Sequence, residues 1–163
     1  MFYRFWQNMH AAANYCLVNN INLEEGLSWA HRSIFAYFGE QNFLTLSTYA
    51  GLLRKFDRNK EADSIMAKAI PLGTPAQLVM YGNDLNKLGR TDDAFKILKM
   101  NYDKHSTEEY GILSMAMGYY FLKNDKMALQ FARKGLQSTA NAGWKGYFET
   151  VISNINEGKN PFR

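Results

Sequence analysis

Thr91-Asp92-Asp93-Ala94-Phe95-Lys96-Ile97-Leu98 opens on a polar residue and two carboxylates, then sets a small residue fourth and Leu98 four positions after it. A hydroxyl and negative charge suit a helix start, where unpaired N–H groups point outward. Residues four apart share a helical face. A polar helix entry, then a small residue, then an apolar face recurs at Asn22 to Ala30, Asn59 to Met66 and Asp125 to Ala132. Aligned on the small residue, the anchors are Gly26, Ala62, Ala94 and Ala128, spaced by 36, 32 and 34. A period near 34 predicts an all-α chain of stacked helix–turn–helix units.

Bulk properties agree. The chain has 163 residues, enough for one ordinary domain or a short stack of repeats. Hydrophobic residues are 47% and charged residues 21%, so a core can form and disorder is not expected. Mean hydropathy is −0.37, and no long apolar run exists, which excludes a helical membrane span and predicts no membrane partner. Aromatics reach 15% against three prolines, which suits helices packed with large side chains. Net charge is +4, but the longest basic runs are the pairs Arg54-Lys55 and Arg133-Lys134. A nucleic-acid face needs that excess concentrated, so no nucleic-acid partner is expected.

The sole cysteine, Cys16, allows no internal disulfide. Its stretch, Ala11 to Val18, is mostly apolar and marks it as a small packed hydrophobe. The start, Met1-Phe2-Tyr3-Arg4-Phe5-Trp6, is too short and lacks the small residues of a signal peptide. Its aromatics predict a cover, either an upstream domain or a neighbouring helix; the latter allows a homodimer through the aromatic N-terminus.

Periodicity and punctuation predict helices over 5–18, 23–37, 43–56, 60–70, 75–88, 92–104, 107–122, 125–138 and 142–157. Thr74-Pro75-Ala76-Gln77 has the form of a capping box with proline at the first helical position. Ser106 to Glu109 reads as another, and Asn22 to Glu25 resembles one. Thr91, Asn42 and Asn124 are expected caps. In 142–157, Trp144, Phe148, Val151, Ile152 and Ile155 form an apolar stripe, opposite Lys145, Glu149, Ser153 and Asn156. One polar face suits a terminal capping helix, ended by Gly158 and Pro161.

The period and the small anchors resemble the tetratricopeptide repeat. That pattern sets a small residue twelve before each anchor, here Asn14, Ala50, Gly82 and Ala116. Nine before, where it sets a large one, stand Leu17, Leu53, Leu85 and Tyr119. Four after stand Ala30, Met66, Leu98 and Ala132. The small positions are where paired helices cross closely. At the turn only Gly89 matches; Ile21, Asp57 and Lys123 do not. His10, Leu46, Leu78 and Ile112 replace the family's tryptophan, and its unit-ending proline is out of place. The resemblance implies a right-handed α-α superhelix in a single domain over 1–163. Its repeats would span about 7–40, 43–73, 75–106 and 107–140, with a capping helix at 142–157.

Trp6 to Leu17, Asn22 to Glu25, Trp29-Ala30, Asn42 to Thr48 and Met100 to His105 carry a further resemblance. They look like the C-terminal repeat region of uncharacterised exported bacterial proteins with an upstream all-β domain of unknown function. That resemblance implies an exported or periplasmic parent protein and carries over no site residue.

Motifs of chemistry are missing. His10, His31 and His105 have no His or Cys three or four residues on, so no metal site is expected. His10 stands at a core position, and His105 suits a helix end. The carboxylate pairs Glu24-Glu25, Asp92-Asp93 and Glu108-Glu109 read as helix-start charges. Phosphate-binding glycine loops and the Gly-x-Ser-x-Gly nucleophile motif are absent. No enzyme activity and no cofactor are expected.

In the tetratricopeptide family the first helix of each unit lines a concave groove. The resemblance puts Arg54, Asn83, Asn86, Tyr110, Met117, Tyr120, Trp144 and Tyr147 there, with Lys87 beside them. Ala11, Ser47, Val79 and Leu113 stand at the fifth positions, so the basic clamp for acidic chaperone tails is not reproduced. The aromatic and methionine side chains suit an apolar or extended peptide, and Arg54, Asn83, Asn86 and Lys87 suit its backbone. The alternative is that they pack against the next helix. The expected function is a non-catalytic interaction module for a protein or peptide. The alternative is a structural half, packed on an upstream domain or self-associating.

Overall fold

The computed structural model describes residues 5–162. Helices follow in the order α1 (Phe5–Asn19), α2 (Leu23–Phe35), α3 (Phe43–Lys55), α4 (Asn59–Ala69), α5 (Pro75–Lys87), α6 (Thr91–Lys104), α7 (Glu109–Phe121), α8 (Asp125–Ser138) and α9 (Ala142–Asn156). A single 3-10 turn, Ile70–Leu72, follows α4, and no strand occurs among the described residues. The fold class is all-α. Every boundary lies within two residues of the sequence expectation.

The repeat is written in the backbone more clearly than in side chains. The odd-numbered helices close on Asn20, Asp57, Gly89, Lys123 and Gly158, all with φ between 55° and 75°. After each, the next N–H bonds back five residues: Ile21 to Cys16 O, Arg58 to Leu53 O, Arg90 to Leu85 O, Asn124 to Tyr119 O and Lys159 to Asn154 O, at 2.8–3.1 Å. This closure satisfies carbonyls that the helix end leaves orphaned. The left-handed residues are 37, 32, 34 and 35 apart. Asn and Asp tolerate this conformation better than most residues, so glycine marks only some of the turns.

The first turn carries one extra residue, Asn22, itself left-handed at φ 45°. That shifts the register of α1 by one. Asn14 is exposed, and Ala13 and Cys16 take the buried positions expected of Asn14 and Leu17. A Cβ on Gly26 would lie 2.7 Å from the Cys16 Cβ, so the hairpin closes only over glycine. The other anchors, Ala62, Ala94 and Ala128, are fully buried.

Capping is partly as expected. Asn42 with Thr45, and Thr74 with Gln77, form reciprocal capping boxes, and Asn124 accepts from the Met127 N–H. Asn22 makes no side-chain cap bond because its backbone is left-handed. α7 starts at Glu109, after a turn in which His105 bonds Glu108 at 2.7 Å, so Ser106 does not cap it. Thr91 lies inside α6, and its hydroxyl donates to Asn86 Oδ1 at 2.9 Å.

The chain divides into two compact units, Met1–Gly73 and Thr74–Arg163. In the first, α1 and α2 form one hairpin and α3 and α4 another, with α3 beside α1. His10 Nε2 lies 3.0 Å from Thr48 Oγ1, and Lys55 donates to Asn20 Oδ1 at 2.9 Å across that seam. Leu46, Leu52, Leu53 and Met66 fill its core. Phe5 is exposed and Trp6 half-buried; Phe2 and Tyr3 lie outside the described residues.

In the second unit, α5–α6 and α7–α8 are the hairpins, α5 lies beside α7, and α9 packs on α8. Leu98, Ile112, Ala116, Ala128, Phe148 and Val151 build its core. The Phe148 ring rests where a Cβ on Gly135 would stand 2.3 Å away. α9 buries Phe148, Val151 and Ile155, half-buries Trp144 and Ile152, and exposes Lys145, Glu149, Ser153 and Asn156. Among the described residues, no helix is long and apolar enough to cross a membrane.

Candidate functional site

Three helix starts meet in the second unit and are tied by polar contacts. Buried Asn101 donates from Nδ2 to Pro75 O at 2.9 Å and to Ser114 Oγ at 2.8 Å, and Ser114 donates to Tyr110 O at 2.9 Å. This holds α5 and α7 at their first turns. Glu109 accepts from the Thr139 hydroxyl at 2.8 Å, and Thr139 Oγ1 accepts from the Asn141 N–H at 3.1 Å. The Asn141 side chain caps α9 by accepting from the Trp144 N–H at 3.1 Å. The start of α9, and Trp144 with it, is therefore set by α7.

Tyr110, Trp144 and Tyr147 form a run of perpendicular rings. Tyr110 and Trp144 centroids are 4.8 Å apart at 89°, and Trp144 and Tyr147 are 5.7 Å apart at 89°. Edge-to-face pairs set positive ring edges on negative faces and resist collapse. Beside them lies an open groove of about 480 Å³, walled by Ala76, Val79 and Met80 from α5, Leu113 from α7, and Asn141 and Gly143. None of the lining side chains is charged. Burial, with the Tyr110 phenol nearby, pushes the Tyr147 phenol above its usual value. It therefore stays a neutral hydrogen-bond donor at physiological pH.

The other expected groove residues go elsewhere. Asn83, Asn86, Lys87 and Tyr120 gather at the C-terminal ends of α5 and α7, in a second cleft of about 410 Å³ with Thr91, Phe121 and Lys123. Asn86 already accepts from Thr91, and Lys87 pairs with Asp84 at 3.3 Å. The Lys123 ammonium sits 5.8 Å from the Tyr120 ring centroid. Met117 is only 4% exposed and belongs to the core with Val151 and Phe162. Arg54 lies in the first unit and pairs with Asp63 at 2.9 Å.

Sequence reasoning missed Met80 and Asn141 in the aromatic groove, and Phe162 in the second cleft. Val79 and Leu113, read at the fifth positions of their units, do line the aromatic groove. Phe162, beyond the last helix, had no periodic pattern to place it.

Other chemistry-bearing groups have structural employment. His10 is half-buried on Thr48, and desolvation lowers its pKa against a raising hydrogen bond at Leu44. His31 packs tilted against Phe35 and edge-on to Tyr49. Arg58 forks onto Glu61, and Arg90 pairs with Asp93, which holds both carboxyls below their usual range. Among the described residues, no three His, Cys, Asp or Glu side chains gather as metal ligands. No family model, curated protein or solved structure matches this chain.

Proposed function

We propose that this chain is a non-catalytic binding module of tetratricopeptide type that holds an extended apolar segment of a protein or peptide. The observation that carries the reading is the uncharged groove beside Tyr110, Trp144 and Tyr147, open across the starts of three helices. Perpendicular rings leave notches for proline and aliphatic side chains. The Tyr110, Tyr147 and indole hydrogens supply donors for the carbonyls of an extended backbone. Aromatic anchors dominate such interfaces because they bury much area at little entropic cost.

The test is a panel of extended peptides, aliphatic, proline-rich, acidic and basic, titrated against a chain whose Trp6 and Trp29 are replaced by Phe. Trp144 is then the one tryptophan reporter. Apolar peptides should shift its emission, and Tyr110→Ala should abolish the shift. Binding of acidic peptides alone would refute the reading.

A second reading rests on α1. Tyr15 and Val18 are mostly exposed on it, and Phe5 is exposed as well. This supports a structural half that packs on an upstream domain or self-associates. The resemblance to exported repeat proteins belongs to the same proposal. A chain that stays monomeric by sedimentation at high concentration, with Tyr15→Lys behaving identically, would remove self-association.

A further inference from the structure

Basic side chains are compensated on α6 but not on α8. In α6, Asp93 and Asp103 stand three and four residues from Lys96 and Lys99 and pair with them at 3.4 and 2.6 Å. α8 has one acidic residue, Asp125, at its first position. Lys126, Arg133 and Lys134 therefore have no carboxylate three or four residues away. Among the described residues, none of the three makes an ion pair. Positions seven and eight apart return to one side of a helix, so these cations align with Gln130 and Gln137. The stripe from Lys126 to Gln137 is about 16 Å long.

With Tyr102 of α6 and Phe131, the stripe walls an open cleft of about 670 Å³. No carboxylate lines it. The Tyr102 and Phe131 rings meet edge-on at 5.4 Å, and Phe131 stacks on Tyr119 at 5.6 Å, which fixes the aromatic wall. Lys134 donates to the Tyr102 hydroxyl at 2.7 Å, with its ammonium 5.0 Å from the ring centroid. A neutral partner holds the ammonium in place without cancelling its charge. It also leaves the phenol hydrogen as a further donor. Gln130 and Gln137 each add a donor and an acceptor.

We propose that this cleft holds an extended acidic segment of a partner protein, with carboxylates three residues apart meeting Lys126 at one end and Arg133 and Lys134 at the other. Seven helical residues rise about 10 Å, the length of about three extended residues. An apolar side chain between the carboxylates lies on Tyr102 and Phe131. The glutamines favour a peptide over other anions. A peptide backbone brings both N–H groups and carbonyls to an amide, whereas a phosphodiester backbone brings acceptors alone and leaves the glutamine oxygens unmatched. The cleft is built from α6 and α8, not from the helix starts of α5, α7 and α9 that form the aromatic groove. It is therefore independent of the function proposed for that groove.

The experiment follows two rhodamine-labelled, end-blocked peptides, Glu-Thr-Leu-Glu-Thr and Gln-Thr-Leu-Gln-Thr, by anisotropy with the full chain. At low salt the acidic peptide should bind about tenfold more tightly, with the gap closing near about 0.5 M NaCl. Arg133→Gln with Lys134→Gln should weaken the acidic peptide about tenfold. Both side chains are exposed, so the melting temperature should not move. Lys60→Gln with Lys68→Gln removes the same charge from exposed positions of α4 and should leave binding unchanged. Tyr110→Ala, which disables the aromatic groove, should also leave this titration unchanged, so failure of either site is read separately. Equal binding of the two peptides overturns the proposal, as does an equal loss from the α4 pair. Easier displacement of the acidic peptide by hexathymidylate or phosphatidylserine vesicles than by its own unlabelled form assigns the cleft to phosphate and overturns it too.

Discussion

The indole of Trp144 stands perpendicular to the ring of Tyr110, 4.8 Å between centroids, although the two residues lie on different helices 34 positions apart in the chain. One repeat period separates them, so equivalent turns of α7 and α9 face each other. The groove is a consequence of that stacking. Its wall is built from residues that local sequence leaves far apart.

Tyr110→Ala removes one wall of the notch and little of the core, since Tyr110 is 40% exposed. Binding of an apolar peptide should weaken by about 2 kcal/mol, roughly thirtyfold. The melting temperature should move by only a few degrees. Calorimetric titration beside thermal melting separates the two. A melting loss as large as the binding loss would mean that Tyr110 is core rather than site.

Asn141→Ala takes away the N-cap of α9. The cost should be about 1 kcal/mol in a denaturant titration. Trp144 should loosen as well, because its own N–H is the bonded group. Red-shifted Trp144 emission, in the background lacking Trp6 and Trp29, is the expected signature. Asn141→Asp or Asn141→Ser should restore both readings.

Gly111 lies under the turn that precedes α7. A Cβ there would stand 1.9 Å from the His105 carbonyl oxygen, a backbone atom that cannot step aside. Gly111→Ala should therefore destabilise by about 3 kcal/mol, despite alanine's better helix propensity. Gly146→Ala is the control, since nothing lies within 4 Å of its Cβ position. It should be neutral or slightly stabilising in the same melt.

His10 makes the first unit sensitive to acid. Desolvation lowers its folded pKa below the usual 6.5 of a free histidine, so the unfolded chain binds the proton more readily. Its contribution is fully present above that value and is lost as pH falls through and below it. Denaturant midpoints should drop from pH 7 to pH 5 more steeply for the unaltered chain than for His10→Gln. Parallel slopes would show that His10 titrates as it does in the unfolded chain.

The helices and their order were legible because helix formation is local. Polar starts, small anchors and four-residue spacing act within one or two turns, and Ala62, Ala94 and Ala128 are buried as that spacing requires. Asn14 shows the limit. The extra left-handed residue at Asn22 leaves no compositional mark, so the register of α1 slipped by one without notice. The candidate groove was legible as a helical face but not as two places. Met117 stands in the same register as Tyr110 and Tyr120, yet it packs in the core between them.

Residue spacing alone thus determined the all-α class, the 34-residue period and the helix boundaries, since each depends on contacts a few residues long. Tertiary packing decided which side of each helix stays open. It spread the nine candidate residues over an aromatic groove, a cleft filled by Phe162, a core position at Met117 and an ion pair at Arg54. Those outcomes depend on which distant segment arrives to cover a face, and Phe162 reaches Tyr120 from 42 residues away in sequence. Side-chain periodicity carries no record of that arrival, because the contact is made by apolar area, which is non-directional and satisfied by any segment of the right shape.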